Sequence, residues 1–124
     1  MNKTIGNEGE EVVANYLRKK GFTVIERNYR TRTGEIDIIA TQEDKIVFFE
    51  VKTMLHTQLQ DLDLIIGKKK QIKINKTAKQ FLQTHRQYSE MLVRIDVIVL
   101  TSNPFFTQEP ELIHINNAFG DINA

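Results

Sequence analysis

Two short segments of this chain place charged side chains among apolar residues. GEIDIIA carries Glu35 and Asp37, and VFFEVKT carries Glu50 and Lys52. Side chains two residues apart on a strand point to the same face, so each pair shares a face if both segments are strands. If the strands pair through the intervening turn TQEDK, Asp37 comes near Glu50 and Lys52. The spacing predicts a carboxylate pair with an ammonium group beside it, at the end of a sheet.

Such a cluster favours a bound cation. Carboxylates repel one another, and an unpaired buried charge is costly. Lys52 neutralises one carboxylate, which leaves negative charge that a divalent ion would balance. Oxygen ligands without His or Cys suit Mg²⁺ or Mn²⁺ better than Zn²⁺. We therefore predict a metal–carboxylate site, with a structural network of ion pairs as the alternative.

Glu10 and the pair formed by Arg94 and Asp96 are further charged candidates. Glu10 lies on the flank of the apolar face of a predicted helix, where it either faces the sheet or complements the helix dipole. Arg94 and Asp96 share a face of a predicted strand, and we expect them to pair with each other in a structural role.

Seven elements are predicted to position these residues. The helices are Glu8–Lys20, ended by Gly21, and Lys68–Gln87; the strands are Phe22–Tyr29, Gly34–Ala40, Ile46–Thr53, Met91–Thr101 and Glu111–Ile115. Short turns between the first three strands predict an antiparallel meander, and apolar residues on both strand faces predict helices above and below the sheet. The order α-β-β-β-α-β-β predicts an α/β sandwich, in a single domain that spans residues 1–124.

Two segments lack a clear pattern. We expect residues 54–67 to form a long loop with one helical turn at most, and long loops are often functional or mobile. Within it we expect His56 to be a solvated histidine rather than a metal ligand or proton donor. Phe105 and Phe106 lie between the two prolines near the C-terminus. We expect them to cover the sheet's own core rather than to form a dimer surface.

Composition narrows the class of protein. The chain has 124 residues, of which 40% are hydrophobic and 27% charged, as in one soluble globular domain. It has no Cys, which excludes disulfides and thiolate sites. The polar, acidic N-terminus does not resemble a signal peptide, and no apolar run reaches the roughly 18–20 residues that span a bilayer. We expect a cytoplasmic protein without a membrane partner.

Basic residues are concentrated in the second predicted helix. Between Lys68 and Arg86 the segment contains basic residues and no acid, although the net charge of the chain is only +1. A locally basic surface attracts polyanions, although a solvated helix face is an equal alternative for the segment alone.

The residues Asp37 and Glu50-Val51-Lys52 resemble the signature of the PD-(D/E)xK nuclease superfamily, which has the restriction-endonuclease-like fold. More closely, the chain resembles the YraN-like family of predicted endonucleases, which are similar to archaeal Holliday-junction resolvases. The resemblance covers most of the chain, including GEIDIIA, VFFEVKT, Lys70-Gln71, RIDVIV and the tail IHINNAF. After VFFEVKT the chain departs from the Arg and Gly-containing loop of many family members.

The resemblance implies a metal-dependent phosphodiesterase built on a mixed sheet flanked by helices. Asp37 and Glu50 would hold one or two Mg²⁺ or Mn²⁺ ions. Glu10 and the carbonyl of Val51 would be additional ligands. Lys52 would orient or deprotonate the attacking water.

The resemblance also implies supporting and substrate-binding residues. Glu35 and Arg30 would support the ligands from behind, with Glu35 as a metal ligand in the alternative. The residues implied to contact nucleic-acid phosphates are Lys69, Lys70, Lys73 and Lys76.

Three functions follow as alternatives. The leading one is a metal-dependent DNA endonuclease that acts on branched DNA in repair or recombination. The second is a non-catalytic nucleic-acid-binding module with the same fold, and the third is a scaffold domain whose charges are structural. Duplex cleavage needs two cuts, so a homodimer is expected with the first. The choices between DNA and RNA, and between branched and linear substrates, stay open at the level of sequence.

Overall fold

The computed structural model describes residues 5–55, 65–103 and 111–119. Within these ranges the helices are α1 (Ile5–Lys19) and α2 (Lys68–Thr84), and a short 3-10 helix follows at Arg86–Tyr88. The strands are β1 (Thr23–Arg30), β2 (Glu35–Gln42), β3 (Lys45–Thr53), β4 (Leu92–Leu100) and β5 (Leu112–Ile115). The predicted order of helices and strands is confirmed.

The strands form one five-stranded sheet in the order β1-β2-β3-β4-β5. Antiparallel pairing joins β1 to β2, β2 to β3 and β4 to β5, which confirms the predicted meander. Strands β3 and β4 pair in parallel, so the sheet is mixed. A parallel pair needs a long crossover connection, and α2 lies within it.

Each face of the sheet is covered by one helix, as the sequence predicts. On one face, Val13 and Leu17 of α1 pack in a buried cluster with Phe49. On the other face, Phe81 of α2 packs in a second cluster with Phe48. A mixed sheet between two helices is an α/β fold compatible with a restriction-endonuclease-like core.

Helix α2 ends earlier than predicted. Its last residue is Thr84 rather than Gln87, and His85 has the non-helical angles φ −126° and ψ 70°. The hydroxyl of Thr84 donates to the backbone carbonyl of Gln80. Nδ1 of His85 lies 2.9 Å from the backbone carbonyl oxygen of Phe81. Side chains that bond nearby carbonyls compete with the helical hydrogen bonds, which explains the early end.

Several predictions concern residues outside the described part of the chain. His56, Phe105 and Phe106 lie there, and so does most of the segment predicted as a loop. At the end of that segment Ile65 and Ile66 are buried in the cluster beneath α2. Neither of the helices in the described ranges has the length and apolar character needed to cross a membrane. The extent of the domain over residues 1–124 stays a prediction.

Candidate active site

Asp37 and Glu50 meet at the end of the ladder between β2 and β3. The ladder runs from the pair Gln42 and Lys45 to the pair Ile38 and Phe49, so Asp37 and Glu50 occupy the next position on each strand. Oδ2 of Asp37 accepts a hydrogen bond of 2.8 Å from the backbone N–H of Val51. The two carboxyl groups also hydrogen bond to each other. The predicted approach of these carboxylates is confirmed.

The environment of the pair disfavours two negative charges. The side chain of Glu50 is 4% exposed. Burial, followed by the charge of Asp37, raises the pKa of Glu50 to about 7, although Lys70 acts to lower it. Burial also raises the pKa of Asp37, against the lowering effect of the Val51 N–H. In the metal-free protein, Glu50 therefore holds the proton that it donates to Asp37 until the pH approaches neutrality.

The ammonium group beside the carboxylates belongs to Lys70, in the first turn of α2. Its Nζ atom lies 2.5 Å from Oε1 of Glu50. Burial lowers the pKa of Lys70, but its hydrogen bond to Glu50 and the charges of Glu50, Asp37 and Glu35 outweigh burial and raise the pKa. Lys70 is therefore a cation that the carboxylates hold in its charged form.

Lys52 occupies a different environment from the one expected. Its side chain is exposed and forms no ion pair with any residue in the described ranges. Beyond the pair Ile38 and Phe49, β3 has no ladder partner on β2 and pairs only with β4, where Lys52 lies opposite Val99. The absence of a neighbouring strand at this position leaves its side chain open to solvent. The role implied for Lys52 in activating water stays a prediction.

Glu10 approaches the pair from α1. Burial and the charge of Asp37 raise its pKa, while Arg27 and a hydrogen bond from the side chain of Asn28 lower it. Of the two readings of Glu10, the structure therefore supports the one in which it faces the sheet. The preceding residue, Gly9, is buried, and a Cβ atom there would lie 3.0 Å from Cδ1 of Leu100. The missing side chain lets this end of α1 lie close to the sheet.

Asn28 is a residue of the site that sequence reasoning missed. It lies on β1 between the paired residues Arg27 and Tyr29, opposite Asp37 in the register, with φ of 53°. Asn tolerates this left-handed conformation better than most residues. An Asn in the middle of a predicted strand was the available signal, because Asn is unfavourable there unless its backbone or side chain has a special role.

Glu35 and Arg30 flank the site. Nε of Arg30 lies 3.4 Å from Oε1 of Glu35, and both side chains are exposed, at 73% and 40%. Glu35 therefore contacts Arg30, and whether it supports the ligands or is itself a metal ligand stays a prediction. An exposed ion pair contributes about 0–1 kcal/mol, so the contact orients Glu35 more than it stabilises the fold.

A cleft of about 390 Å³ opens beside the two carboxylates. Carboxylates of β2 and β3 line one side of it, and lysines from the start of α2 line the other. The lining residues are Gly34, Glu35, Asp37, Glu50, Lys69, Lys70, Lys73 and Ile74. Lys76 is exposed on α2 but does not belong to this lining. The cleft therefore presents acidic groups to a cation and basic groups to an anion at the same opening.

The donors at the cleft suit a hard divalent cation. Asp37 and Glu50 supply carboxylate oxygens. In an extended strand the N–H and C=O of one residue point to the same side, so the Val51 carbonyl is directed to the side where Asp37 receives the Val51 N–H. Within the described ranges, no three His, Cys, Asp or Glu side chains are grouped closely enough to hold an ion by themselves. Mg²⁺ commonly uses one or two carboxylates, waters and substrate phosphates, and the residues present fit that pattern.

A second polar cluster surrounds Asp96, on the face of the sheet covered by α1. Asp96 is fully buried and accepts hydrogen bonds from Nε and Nη2 of Arg94 at 2.8 and 2.9 Å, as expected from the sequence. It also contacts Nε2 of His114 at 2.8 Å and accepts the N–H of Asn117 at 2.9 Å. Burial acts to raise the pKa of Asp96, but these hydrogen bonds and the Arg94 charge lower it overall. The cluster ties β5 to β4.

Comparison with known proteins places the chain in a family. Residues 9–100 match the family described as uncharacterised protein family UPF0102. The chain belongs to the UPF0102 family. This confirms the predicted YraN-like resemblance, and the matched region of the UPF0102 family contains Asp37, Glu50 and Lys70 of this chain.

Similar UPF0102 proteins align over nearly their whole length. The UPF0102 protein of Treponema denticola is 52% identical over 125 residues, which cover 95% of this chain and 96% of the relative. That of Treponema pallidum is 50% identical over 121 residues, with 98% and 96% covered. That of Alkaliphilus oremlandii is 38% identical over 120 residues, with 96% and 100% covered. The names of these relatives state no activity, so support for a nuclease function depends on the chemistry of the site.

Proposed function

We propose that this protein is a metal-dependent endonuclease that hydrolyses phosphodiester bonds in nucleic acid, with DNA as the substrate. One observation carries the proposal: the buried carboxyl group of Glu50 and the partly buried one of Asp37 contact each other and face lysines across a single cleft. A binding module has no need for paired carboxylates at a phosphate-binding surface, since they would repel the phosphates. With a divalent cation between acid and phosphate, the same pair becomes favourable.

The residues of the cleft divide the chemical work. Asp37 and Glu50 would hold Mg²⁺ or Mn²⁺, with the Val51 carbonyl as a third donor. A bound ion of this kind supplies a water of lowered pKa and positive charge for the phosphate. Glu10 would bind waters around that position. It lies close enough to Asp37 for the charge of Asp37 to raise its pKa, but the two do not belong to a close group of three ligands within the described ranges. Glu35 would be held beside them by Arg30.

The start of α2 is suited to bind phosphate. Its first turn consists of Lys68, Lys69 and Lys70, and Gly67 provides no side-chain cap. Cations at a helix N-terminus oppose the helix dipole, at a cost of a few tenths of a kcal/mol each. A phosphate group at that position would be attracted by both the dipole and the lysines. Phosphate contacts of this kind give affinity without sequence preference.

Membership of the PD-(D/E)xK superfamily is part of the proposal. It is supported by the pattern Asp37 with Glu50-Val51-Lys52, by their meeting at the end of the β2–β3 ladder, and by a fold compatible with a restriction-endonuclease-like core. Action on branched DNA, as in resolvase-like proteins, is the finer part of the same proposal.

The test is cleavage of labelled linear duplex, single-stranded, flap and four-way-junction DNA in Mg²⁺ or Mn²⁺. Asp37→Asn and Glu50→Gln keep the size of the side chains and remove the charge, and Glu26→Gln, an exposed acid of β1 outside the cleft lining, is the matched control. We expect cleavage that needs the metal, falls at least 100-fold in the first two variants and persists in the third.

The outcomes separate the proposed function from its alternatives. Junction binding that is unaffected by chelator and by both variants, with no cleavage of any substrate, would show the non-catalytic binding module. An absence of both binding and cleavage would favour a structural role for the charges. Preference for the junction over linear duplex would support action on branched DNA.

A further inference from the structure

We propose that Lys70 of α2 is a catalytic lysine of this site and binds the phosphate group that is cleaved. The proposal rests on the endonuclease function proposed above and adds to it the identity of the group that receives the negative charge of the phosphate. Nothing in the spacing of Glu50 and Lys52 points to it, because Lys70 comes from a different element.

The contacts of the two lysines differ. Nζ of Lys70 lies 2.5 Å from Oε1 of Glu50, and Lys70 lines the cleft together with Asp37 and Glu50. Both lysines are exposed, but Lys52 does not belong to the lining and pairs with no acid in the described ranges. A phosphate bridged to the carboxylates by a cation would therefore meet the ammonium of Lys70 first.

The position of Lys70 is fixed by the helix that carries it. The next residue, Gln71, is buried, and its side-chain amide donates to the backbone carbonyl of Ile66 at 2.8 Å. One turn further on, Ile74 is 2% exposed in the core. On the opposite wall, Gly34 packs against the helix, since a Cβ atom there would lie 3.1 Å from Oγ1 of Thr77. The helix that carries Lys70 is docked on the core, whereas the strand end that carries Lys52 pairs with a neighbouring strand on one side only. A firmly held charge is preorganised, and such preorganisation is what stabilises a transition state.

The pairing of Lys70 with Glu50 has a consequence for metal binding. In the metal-free protein the Lys70 ammonium occupies an oxygen of Glu50 that a cation would also use. Its positive charge also repels a cation bound at Asp37 and Glu50. Once Glu50 binds a cation, Lys70 is left to pair with the phosphate. Lys70 therefore weakens metal binding while it promotes cleavage, and removal of its charge should move the two in opposite directions.

The test compares Lys70→Met with Lys79→Met as the matched control, an exposed lysine of α2 outside the cleft lining, with Lys52→Met, and with Lys70→Arg as the variant that keeps the charge. Mn²⁺ affinity of the full chain is measured by calorimetry in the absence of DNA, and cleavage is measured under single turnover and at steady state. For Lys70→Met we expect Mn²⁺ to bind roughly tenfold more tightly, the effect of removing one close like charge. We expect kcat to fall by roughly 100-fold with KM little changed.

The controls distinguish this role from a structural ion pair. Lys70→Arg should regain part of the lost kcat, and Lys79→Met should change Mn²⁺ affinity and kcat by less than about threefold, as for a solvated charge. A structural role would instead lower the melting temperature of Lys70→Met and leave Mn²⁺ affinity unchanged, which would overturn the proposal. So would loss of cleavage in Lys52→Met with retention in Lys70→Met. If Lys70→Met does not fold, Lys70→Gln serves for the same comparison.

Failure of the proposed function is separable from failure of this inference. If the wild-type protein cuts no substrate in the panel, the endonuclease proposal fails. The Mn²⁺ affinities then still decide whether Lys70 is the ammonium of the metal site. Tighter binding in Lys70→Met but not in Lys79→Met supports it, and equal affinities in all variants overturn it.

Discussion

The carboxylate of Asp37 and the backbone of Val51 meet where the ladder between β2 and β3 ends. The Val51 N–H donates to Oδ2 of Asp37 at 2.8 Å, so a side chain replaces the strand partner that the ladder no longer supplies. This contact holds the Asp37 carboxyl group in place beside the carboxyl group of Glu50. The distance between the two acids is thereby set by the sheet and not by a loop, which favours a metal site of fixed geometry.

Divalent cations should stabilise the folded protein through this pair. A ligand that binds only the native state at about 100 times its Kd adds about 2.7 kcal/mol, which corresponds to a rise in Tm of roughly 5–15 °C for a domain of this size. We expect Mn²⁺ to raise the Tm of the wild-type protein, and to raise that of the double variant Asp37→Asn/Glu50→Gln by less than about 2 °C. Differential scanning fluorimetry at constant ionic strength measures both. An equal rise in the two proteins would place the binding elsewhere.

The stability of the metal-free protein should fall as the pH rises towards neutrality. The pKa of Glu50 is about 7 when folded and 4.5 as its ordinary value, so the folded state binds more protons than the unfolded chain between these values. The free energy of unfolding therefore decreases with rising pH across this window, by on the order of 1–3 kcal/mol. Urea denaturation in EDTA between about pH 4.5 and pH 8 measures it.

Glu50→Gln is the control for this pH dependence. Its side chain does not titrate, so most of the decrease should be absent, and the remainder should reflect Asp37, whose pKa is also raised by burial. Curves of the same slope in the wild-type protein and in Glu50→Gln would show that another group titrates.

The carboxylate pair was predictable from the sequence, whereas its lysine partner was not. Asp37 and Glu50 lie on consecutive strands joined by a short turn, so period-2 geometry and the turn are enough to bring them together. Lys70 reaches Glu50 only because α2 docks across the ends of these strands, and docking is a tertiary relationship that strand spacing does not contain. A local signal was present in the three successive lysines at a helix N-terminus, where they oppose the dipole.

The fold was predictable for a related reason. Apolar residues on both faces of the strands require cover on both sides, and this correctly placed one helix on each face. The end of α2 was predicted three residues too late because the side-chain hydrogen bonds of Thr84 and His85 to the preceding turn are not visible in apolar periodicity. The contact of His114 with Asp96 was also missed, since it joins strands through a long connection.

Gly9→Ala should destabilise the protein although Ala favours helices. A Cβ atom at position 9 would lie 3.0 Å from Cδ1 of Leu100 and 3.2 Å from Oγ1 of Thr53, so α1 or its neighbours must shift. Overpacking costs about 1–3 kcal/mol, and the gain in helix propensity offsets at most about 1 kcal/mol of it. We expect a net loss on the order of 1 kcal/mol in chemical denaturation.

Gly67→Ala is the matched control, because nothing lies within 4 Å of the Cβ atom that it adds. Its backbone has ordinary angles, with φ of −61° and ψ of 154°. Restriction of the unfolded chain and loss of a preferred N-cap residue then oppose each other, and we expect a change within about 0.5 kcal/mol. A larger loss for Gly67→Ala than for Gly9→Ala would contradict the close approach of α1.

Asp96→Ala should be among the more damaging substitutions outside the cleft. Asp96 is fully buried and its carboxylate joins Arg94, His114 and the backbone of Asn117. Its removal leaves the partly buried Arg94 cation without a carboxylate partner, which costs about 3–5 kcal/mol. Urea denaturation should show this loss, whereas Mn²⁺ affinity of the folded fraction should be unchanged. Glu35→Gln, which breaks an exposed pair, should cost less than about 1 kcal/mol. A small loss for Asp96→Ala would mean that the cluster is not structural.

The lysines of α2 should control the salt dependence of DNA binding. Lys69 and Lys73 line the cleft and Lys76 is exposed further along the helix, so a duplex backbone that enters the cleft would pass all three. Each phosphate contact contributes about 0.9 to the slope of log K against log salt for duplex DNA. We expect each Lys→Gln variant to reduce the slope by about 1, and the triple variant by about 3, with no change in preference among duplex sequences. Fluorescence anisotropy between about 50 and 200 mM salt, with Ca²⁺ in place of Mg²⁺, measures this.

Lys19→Gln, on the exposed end of α1, is the control, because α1 lies on the opposite face of the sheet from α2. Equal slopes for Lys19→Gln and the α2 variants would mean that the basic charge of α2 acts only through the overall field of the protein and not through contacts with the backbone.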